Sequence, residues 1–341
     1  MFIVNSYGLA VILCFVIMLC WGSWGNTQKL AAKTWRYELF YWDYAIGTFL
    51  FALILAFTLG SFGSEGRSFL QDLGQASSSS IGWLLLGGII FNLSNILLSA
   101  SVSIAGMSVA FPLGVGLALV LGVINNYRVA VLQGGHTGRP AMLALGVALV
   151  VVAIVCNGIA SGKKANISDI SKTDQRKGII LALVAGLIMS FFSSFVMRAM
   201  DLTNFAAPAT GKVTPYTAIV IFTGAIVLSN FLFNTIVMKK PFVGEPVTYK
   251  QYFSGSFKTH LVGMLGGSIW CLGTALSYIT AEKAGAAISY ALGQGAPMVA
   301  ALWGIFIWKE FKGSSKQVYA LLASMFAFFI AGLALIVAAG N

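Results

Sequence analysis

Residues 87–116 read GGIIFNLSNILLSASVSIAGMSVAFPLGVG, and residues 266–295 read GGSIWCLGTALSYITAEKAGAAISYALGQG. These are one apolar hairpin written twice, at an offset of 179 with no gap. The identities are Gly87/Gly266, Gly88/Gly267, Ile90/Ile269, Leu93/Leu272, Leu97/Leu276, Ala105/Ala284, Gly106/Gly285, Leu113/Leu292, Gly114/Gly293 and Gly116/Gly295. A polar stripe repeats as well: Asn92, Asn95, Ser99 and Ser103 against Cys271, Thr274, Tyr278 and Glu282. Its spacing of 3, 4, 4 is one face of a helix. A duplicated membrane unit with a polar face is the plan of secondary transporters, whose substrate site lies between the repeats.

The composition admits only lipid as the main solvent. Of 341 residues, 58% are hydrophobic and 9% charged, with a mean hydropathy of +0.87, where a soluble domain carries about 25% charged residues. The net charge of +11 belongs to segments between apolar runs. It therefore reads as membrane orientation rather than nucleic-acid binding. Cys14, Cys20, Cys156 and Cys271 all lie within apolar segments, as small hydrophobes. His136 and His260 are far apart and read as lying outside the apolar runs, so no metal site is expected. The first apolar run has neither a preceding basic residue nor a cleavage pattern and is expected to be retained as a helix.

Ten runs reach the roughly 20 residues that a crossing needs. They fall near 8–30, 38–60, 81–104, 107–126, 140–160, 178–199, 214–238, 260–281, 285–308 and 317–339. Gly106 is expected to turn the third run into the fourth, and Glu282–Ala284 the eighth into the ninth. The fold class expected is an all-α integral membrane protein of ten transmembrane helices in two inverted five-helix repeats: 1–160, a cytoplasmic linker at 161–177, and 178–341. One set of connections carries Lys29, Lys33, Arg36, Lys163, Lys164, Lys172, Arg176, Lys177, Lys239, Lys240, Lys250, Lys258, Lys309, Lys312 and Lys316. The other carries only Arg67, Arg128, Arg139, Arg198, Lys212 and Lys283. The positive-inside rule puts the first set in the cytoplasm and both termini outside.

Asp43 is the sharpest single residue. It stands early in the second run, where an ionisable group is costly unless paired or facing a cavity. Two readings are open. Asp43 pairs with Lys29 or Arg36 and staples the first two helices, or it accepts the coupling proton under alternating access. Glu38, nearer the surface, reads as an interfacial solvated group. At the end of the first run, Trp21 and Trp24 stand with Asn26 and Gln28 beside two glycines. The glycines permit local unwinding or close approach, and the indoles could wall a ring-shaped solute. Asn92, Asn95, Trp270, Thr274, Tyr278, Tyr290 and Gln294 complete the candidate substrate site, with Pro297 favouring a bend in the ninth helix. Phe111 and Pro112 occupy the repeat-equivalent positions of Tyr290 and Ala291. Lys29, Glu38 and Arg198 are candidate gates or interfacial anchors. Apart from Glu282 and Lys283, the third, fourth, eighth and ninth runs carry no charge. The expected site is therefore polar but neutral, suited to a sugar, a ureide or a nucleobase rather than an anion or cation. No phosphate-cradling motif or nucleophile–base set is present, so neither a cofactor nor an enzymatic activity is expected.

The stretches Tyr41-Trp-Asp43-Tyr44-Ala-Ile46 and Ala56-Phe57-Thr58-Leu-Gly60-Ser-Phe-Gly63, with ten spans in two halves, resemble the drug/metabolite transporter superfamily. Within it the likeness is to the ureide permease and glucose/ribose porter branch. The resemblance implies proton-coupled uptake of a small neutral solute. The reading as a whole is a secondary transporter of a small neutral polar solute in a bacterial inner membrane, working by alternating access. It also favours Asp43 as more than a staple. The alternatives are an exporter of metabolites or drugs in the same superfamily and a non-transporting membrane sensor or scaffold.

Overall fold

The computed structural model describes residues 1–31, 35–105, 110–164, 172–242 and 244–340. The expected turn at Gly106, and Lys33, lie outside them, as do the side chains of Ser103, Phe111, Pro112, Lys164 and Lys172. Ten helices among the described residues are long and apolar enough to cross a membrane. They are α1 (Tyr7–Ala31), α2 (Tyr37–Phe57), α3 (Ser78–Val102), α4 (Leu113–Gln133), α5 (Pro140–Lys163), α6 (Arg176–Ala199), α7 (Pro215–Lys239), α8 (Phe257–Ile279), α9 (Ala286–Ile307) and α10 (Lys316–Ala339). Their outer surfaces expose leucine, isoleucine and phenylalanine, the pattern of a bundle solvated by lipid.

The expected spans match to within a few residues, except α4. The polar run Asn125-Asn-Tyr-Arg128 reads as a helix end, yet α4 continues to Gln133. The reason is local. The Asn125 amide donates to the Ser190 carbonyl of α6 at 3.1 Å, Asn126 is fully buried, and Arg128 is exposed. The stretch read as a linker, 161–177, is helical at both ends, since the flanking helices run to Lys164 and from Lys172. The two glycine-rich breaks fall where expected. α1 is interrupted at Trp24, and α9 is interrupted after Gly293, with Pro297 in the first turn of the next segment.

The internal repeat extends beyond the hairpin. Two connections that read as plain polar stretches each contain a short helix opened by a capping box. Ser68 pairs with Gln71 ahead of Phe69–Gln75, and Thr248 pairs with Gln251 ahead of Tyr249–Phe253. In both, hydroxyl and amide satisfy one another's end of the first turn. Ser77 and Ser256 then open α3 and α8, each accepting from the backbone three residues on. Equivalent glycines meet equivalent helices. Gly88 lies against the Phe222 backbone of α7 and Gly267 against the Tyr44 backbone of α2. Gly114 faces Ala182 of α6, and Gly293 faces Ile17 and Trp21 of α1. Each of these packings has its counterpart five helices away. Tyr7 of α1 donates to the Val337 carbonyl of α10, so the two ends of the chain share one face of the bundle.

On that face, Asp72 of the first short helix is fully buried. It accepts from Arg67 Nε at 2.9 Å and from the Thr214 backbone at 2.7 Å. Arg67 also donates to the carbonyls of Pro208 and Lys212, so this single pair clasps the α2–α3 connection onto the α6–α7 connection. Asp72→Ala would strand a buried backbone N–H and one arm of the guanidinium. The expected loss is about 3 kcal/mol, read as a lowered unfolding midpoint of the purified protein. Asp72→Asn, which keeps an acceptor, is expected to lose less.

Candidate functional site

Among the described residues, three hold Asp43, and none of them is Lys29 or Arg36. Trp35 Nε1 donates to Oδ2 at 2.9 Å, and the Tyr252 hydroxyl donates to Oδ1 at 2.7 Å. His260 Nδ1 also lies 2.7 Å from Oδ1. The carboxylate has no exposed surface, while the imidazole keeps 19% of its own. Gly263, one turn beyond His260, leaves room for the Asp43 Cβ and brings α8 against α2. Tyr252 projects from the short helix Tyr249–Phe253, at the position Asp72 holds in the first half of the chain. Burial, and then its hydrogen bond to Asp43, hold the Tyr252 phenol above its ordinary range, so it serves as a donor.

Sequence reading missed this cluster for identifiable reasons. Trp35 and Tyr252 sit in connections, and His260, read as outside the apolar runs, stands in the first turn of α8. The proposed pairing of Asp43 with a cation fails because both cations are engaged. Arg36 pairs with Glu38 at 2.7 Å and donates to the Glu245 carbonyl. Lys29 pairs with Glu310 and lies over the Trp308 ring. Glu38 is not a solvated group: it is only 7% exposed, and the amide of Asn234 in α7 caps its carbonyl at 2.8 Å.

Behind Asp43, α2 turns two tyrosines into the bundle. Tyr41 donates to Asn92 Oδ1 at 2.9 Å and accepts from Asn95 at 3.1 Å. Asn92 in turn donates to Ser229 of α7. Tyr44 stacks on Tyr41 and lies against Trp24 at 5.0 Å and Trp270 at 6.0 Å. The rings continue from Trp270 to Phe91 at 4.7 Å, to Phe192 and Phe222, and on to Tyr278 and Tyr290. Among the described residues, Tyr44 Oη and Tyr278 Oη in this chain of rings are buried without a hydrogen-bond partner, as are Ser193 Oγ, next in sequence to Phe192, and both side-chain atoms of Asn126; Thr217, Asn230, Asn234 and Ser314 also carry such atoms. Asn126 lies one turn along α4 from Gly122, which packs on the Tyr290 ring. Such a group costs about 1–3 kcal/mol when left unpaired. The two hydroxyls within the uncharged aromatic centre, Tyr44 and Tyr278, are groups that a polar ligand or ordered water would complete.

Of the sequence-selected residues, Trp24, Asn92, Asn95, Trp270, Tyr278 and Tyr290 join this centre. Trp21 lies beside it, its Nε1 donating to Thr274 at 3.2 Å and its ring wedged between Gly273 and Gly293. Gln294 marks the break in α9. Asn26 is engaged elsewhere, at the end of α1, donating to the Ser23 carbonyl and accepting from Trp308 at 2.6 Å. Together with Trp303 on Ser23 and the Lys29–Glu310 pair, it ties α1 to the far end of α9. On the opposite face Arg198 stacks on Trp83 at 5.1 Å. With Lys212 and Gln133 it borders a cavity of about 230 Å³. Tyr44, Ser193 and Asn126 escaped the sequence reading. Buried hydroxyls and amides look alike in sequence whether or not they find partners.

Ten spans around an uncharged, aromatic centre define a multi-pass membrane protein. The model of the ureide permease family matches residues 40–176 and 164–339. The chain belongs to the ureide permease family. It is 25% identical to ureide permease 1 of Arabidopsis thaliana, covering 100% of this chain and 99% of the relative. Identity to ureide permease 2 of the same plant is likewise 25%, over the same shares. The L-rhamnose-proton symporter of Yersinia pestis bv. Antiqua (strain Antiqua) is 30% identical over 61% of this chain and 62% of its own. A solved structure described as "Crystal structure of protein" superposes with a TM-score of 0.58 at 14% identity, covering 97% of this chain and 96% of that one. That likeness concerns the fold alone.

Proposed function

We propose that the chain takes up a small neutral polar solute together with protons, by alternating access between two inverted five-helix halves. The observation that carries the solute class is the aromatic centre with its unpartnered Tyr44 and Tyr278. A ring-shaped solute stacks on Trp270 and Tyr44 and satisfies the stranded groups, while no fixed charge selects an ion. The solute is a monosaccharide or a ureide-like or nucleobase-like ring. The relatives' names, a ureide permease and a rhamnose-proton symporter, fit that class. Asp43 carries the coupling proton. Asp72 has a fixed guanidinium partner, whereas Asp43 is held by a phenol, an indole and a histidine, so it can lose its charge without stranding a permanent cation. The basic loops face the cytoplasm and both termini lie outside, in the inner membrane of a bacterium.

Uptake of labelled ribose, glucose, rhamnose, allantoin and uracil into proteoliposomes, with and without an inward proton gradient, tests this reading. One of these solutes is expected to accumulate only with the gradient. Failure of every solute to enter, or accumulation driven solely by counter-transport, would discard it in favour of export.

A further inference from the structure

Resting on the reading of Asp43 as the coupling acid, we propose that His260 is the group through which that proton passes to and from water. The Asp43 carboxylate has no exposed surface, and a proton bound there needs a route. Its hydrogen-bonded neighbours differ sharply in what they can do. An indole N–H only donates, and the buried Tyr252 phenol stays protonated. His260 alone has a second titratable atom. Its Nδ1 lies 2.7 Å from Oδ1, and its side chain keeps 19% exposure. Nε2 lies beside Gly255, where an added methyl would stand 2.8 Å away, so a larger residue there would crowd that nitrogen. The ring is held edge-on between Trp35 at 5.3 Å and Tyr252 at 4.9 Å, which fixes both nitrogens in place.

The transfer balances without any other reactant. A hydronium ion gives its proton to Nε2: its O–H bond breaks as the N–H bond forms, leaving water and an imidazolium. The Nδ1–H bond then breaks as the O–H bond forms on Oδ1, leaving neutral imidazole protonated at Nε2 and a neutral carboxylic acid. Run in reverse, the same steps release a proton from Asp43 to the face that His260 borders. The new O–H sits on Oδ1, the same atom that accepts the Tyr252 hydrogen bond, so neutralisation weakens that acceptor and with it the hold of the short helix Tyr249–Phe253 on α2. Among described groups, those facing the imidazole are Asp43 from α2, Trp35 from the α1–α2 connection, and Tyr252 and Gly255 from the α7–α8 connection. On its own helix Lys258 is exposed, and Arg36 is engaged by Glu38 and Glu245.

The test follows the Asp43 carboxyl itself and needs no solute. After a rapid acid jump on the protein in nanodiscs, the carboxylic C=O stretch is recorded against time. The band belonging to Asp43 is the one missing in Asp43→Asn. His260→Gln is expected to slow its rise roughly 10²-fold, the scale of a positioned proton donor. His260→Asn, which keeps a donor near Oδ1 but cannot relay, is the second variant should Gln disturb the cluster. Added imidazole is expected to restore the rate in His260→Ala. A band that rises at the wild-type rate in monodisperse His260→Gln and His260→Asn would overturn the relay and leave Asp43 as coupling acid. No Asp43 band in the wild type at any pH would overturn both.

Discussion

Asp43→Asn is expected to abolish gradient-driven accumulation, bringing the internal solute concentration to the external one, while exchange down a gradient continues more slowly. Asparagine keeps the size and one acceptor, so the Trp35 or Tyr252 hydrogen bond survives. Its NH₂ must face a donor on the other side, at a cost of about 1–3 kcal/mol, within reach of a bundle whose α2 is buried along most of its length. What the variant loses is a site that can alternate between charged and neutral. Uptake into proteoliposomes under an inward proton gradient reads the effect. Accumulation equal to wild type would reduce Asp43 to a connector of α2, α8 and the α7–α8 loop.

Gly267→Leu is expected to destabilise the bundle by about 3 kcal/mol or more. Gly263 and Gly267 form a small-residue seam on α8, and Gly47 answers them from α2 against the Met264 backbone. The contacts are backbone on backbone: Gly267 meets the Tyr44 carbonyl and the Thr48 nitrogen. Neither can rotate away as a side chain could, so the helices must part. Parting them removes the dispersion contacts that hold helices together in lipid. It also displaces Asp43 from His260. The unfolding midpoint of the purified protein measures the loss. Gly82→Leu, at a helical position with open space around its Cα, is the matched control and should be neutral or slightly stabilising. A Gly267 variant as stable as the Gly82 variant would contradict the seam.

The misplaced end of α4 and the unread capping boxes share a cause. Asn125-Asn-Tyr-Arg128 looks like a helix terminus because polarity is judged along the chain, whereas Asn125 is satisfied across it by Ser190. The Ser68/Gln71 and Thr248/Gln251 boxes were legible as a spacing of three. They lie in polar connections where hydropathy carries no signal, and their importance comes from what they aim: Asp72 in one half, Tyr252 in the other. Asp43 was conspicuous because a carboxylate in an apolar run is rare. Two of its partners, Tyr252 and His260, were not, since they lie 209 and 217 residues away; the third, Trp35, is 8 residues away but sits in a connection.

The sequence by itself determined the membrane class, the ten spans, the repeated hairpin, the breaks in α1 and α9, and the family likeness. All of these follow from local composition, periodicity and backbone preference, which need no knowledge of neighbours. Only the tertiary structure decided which cations were already engaged, which polar loop folds over Asp43, and which buried hydroxyls and amides remain without partners. Those are properties of pairs. In a chain whose helices are all apolar, hydropathy cannot say which face meets which; close packing at Gly88, Gly263 and Gly267 does.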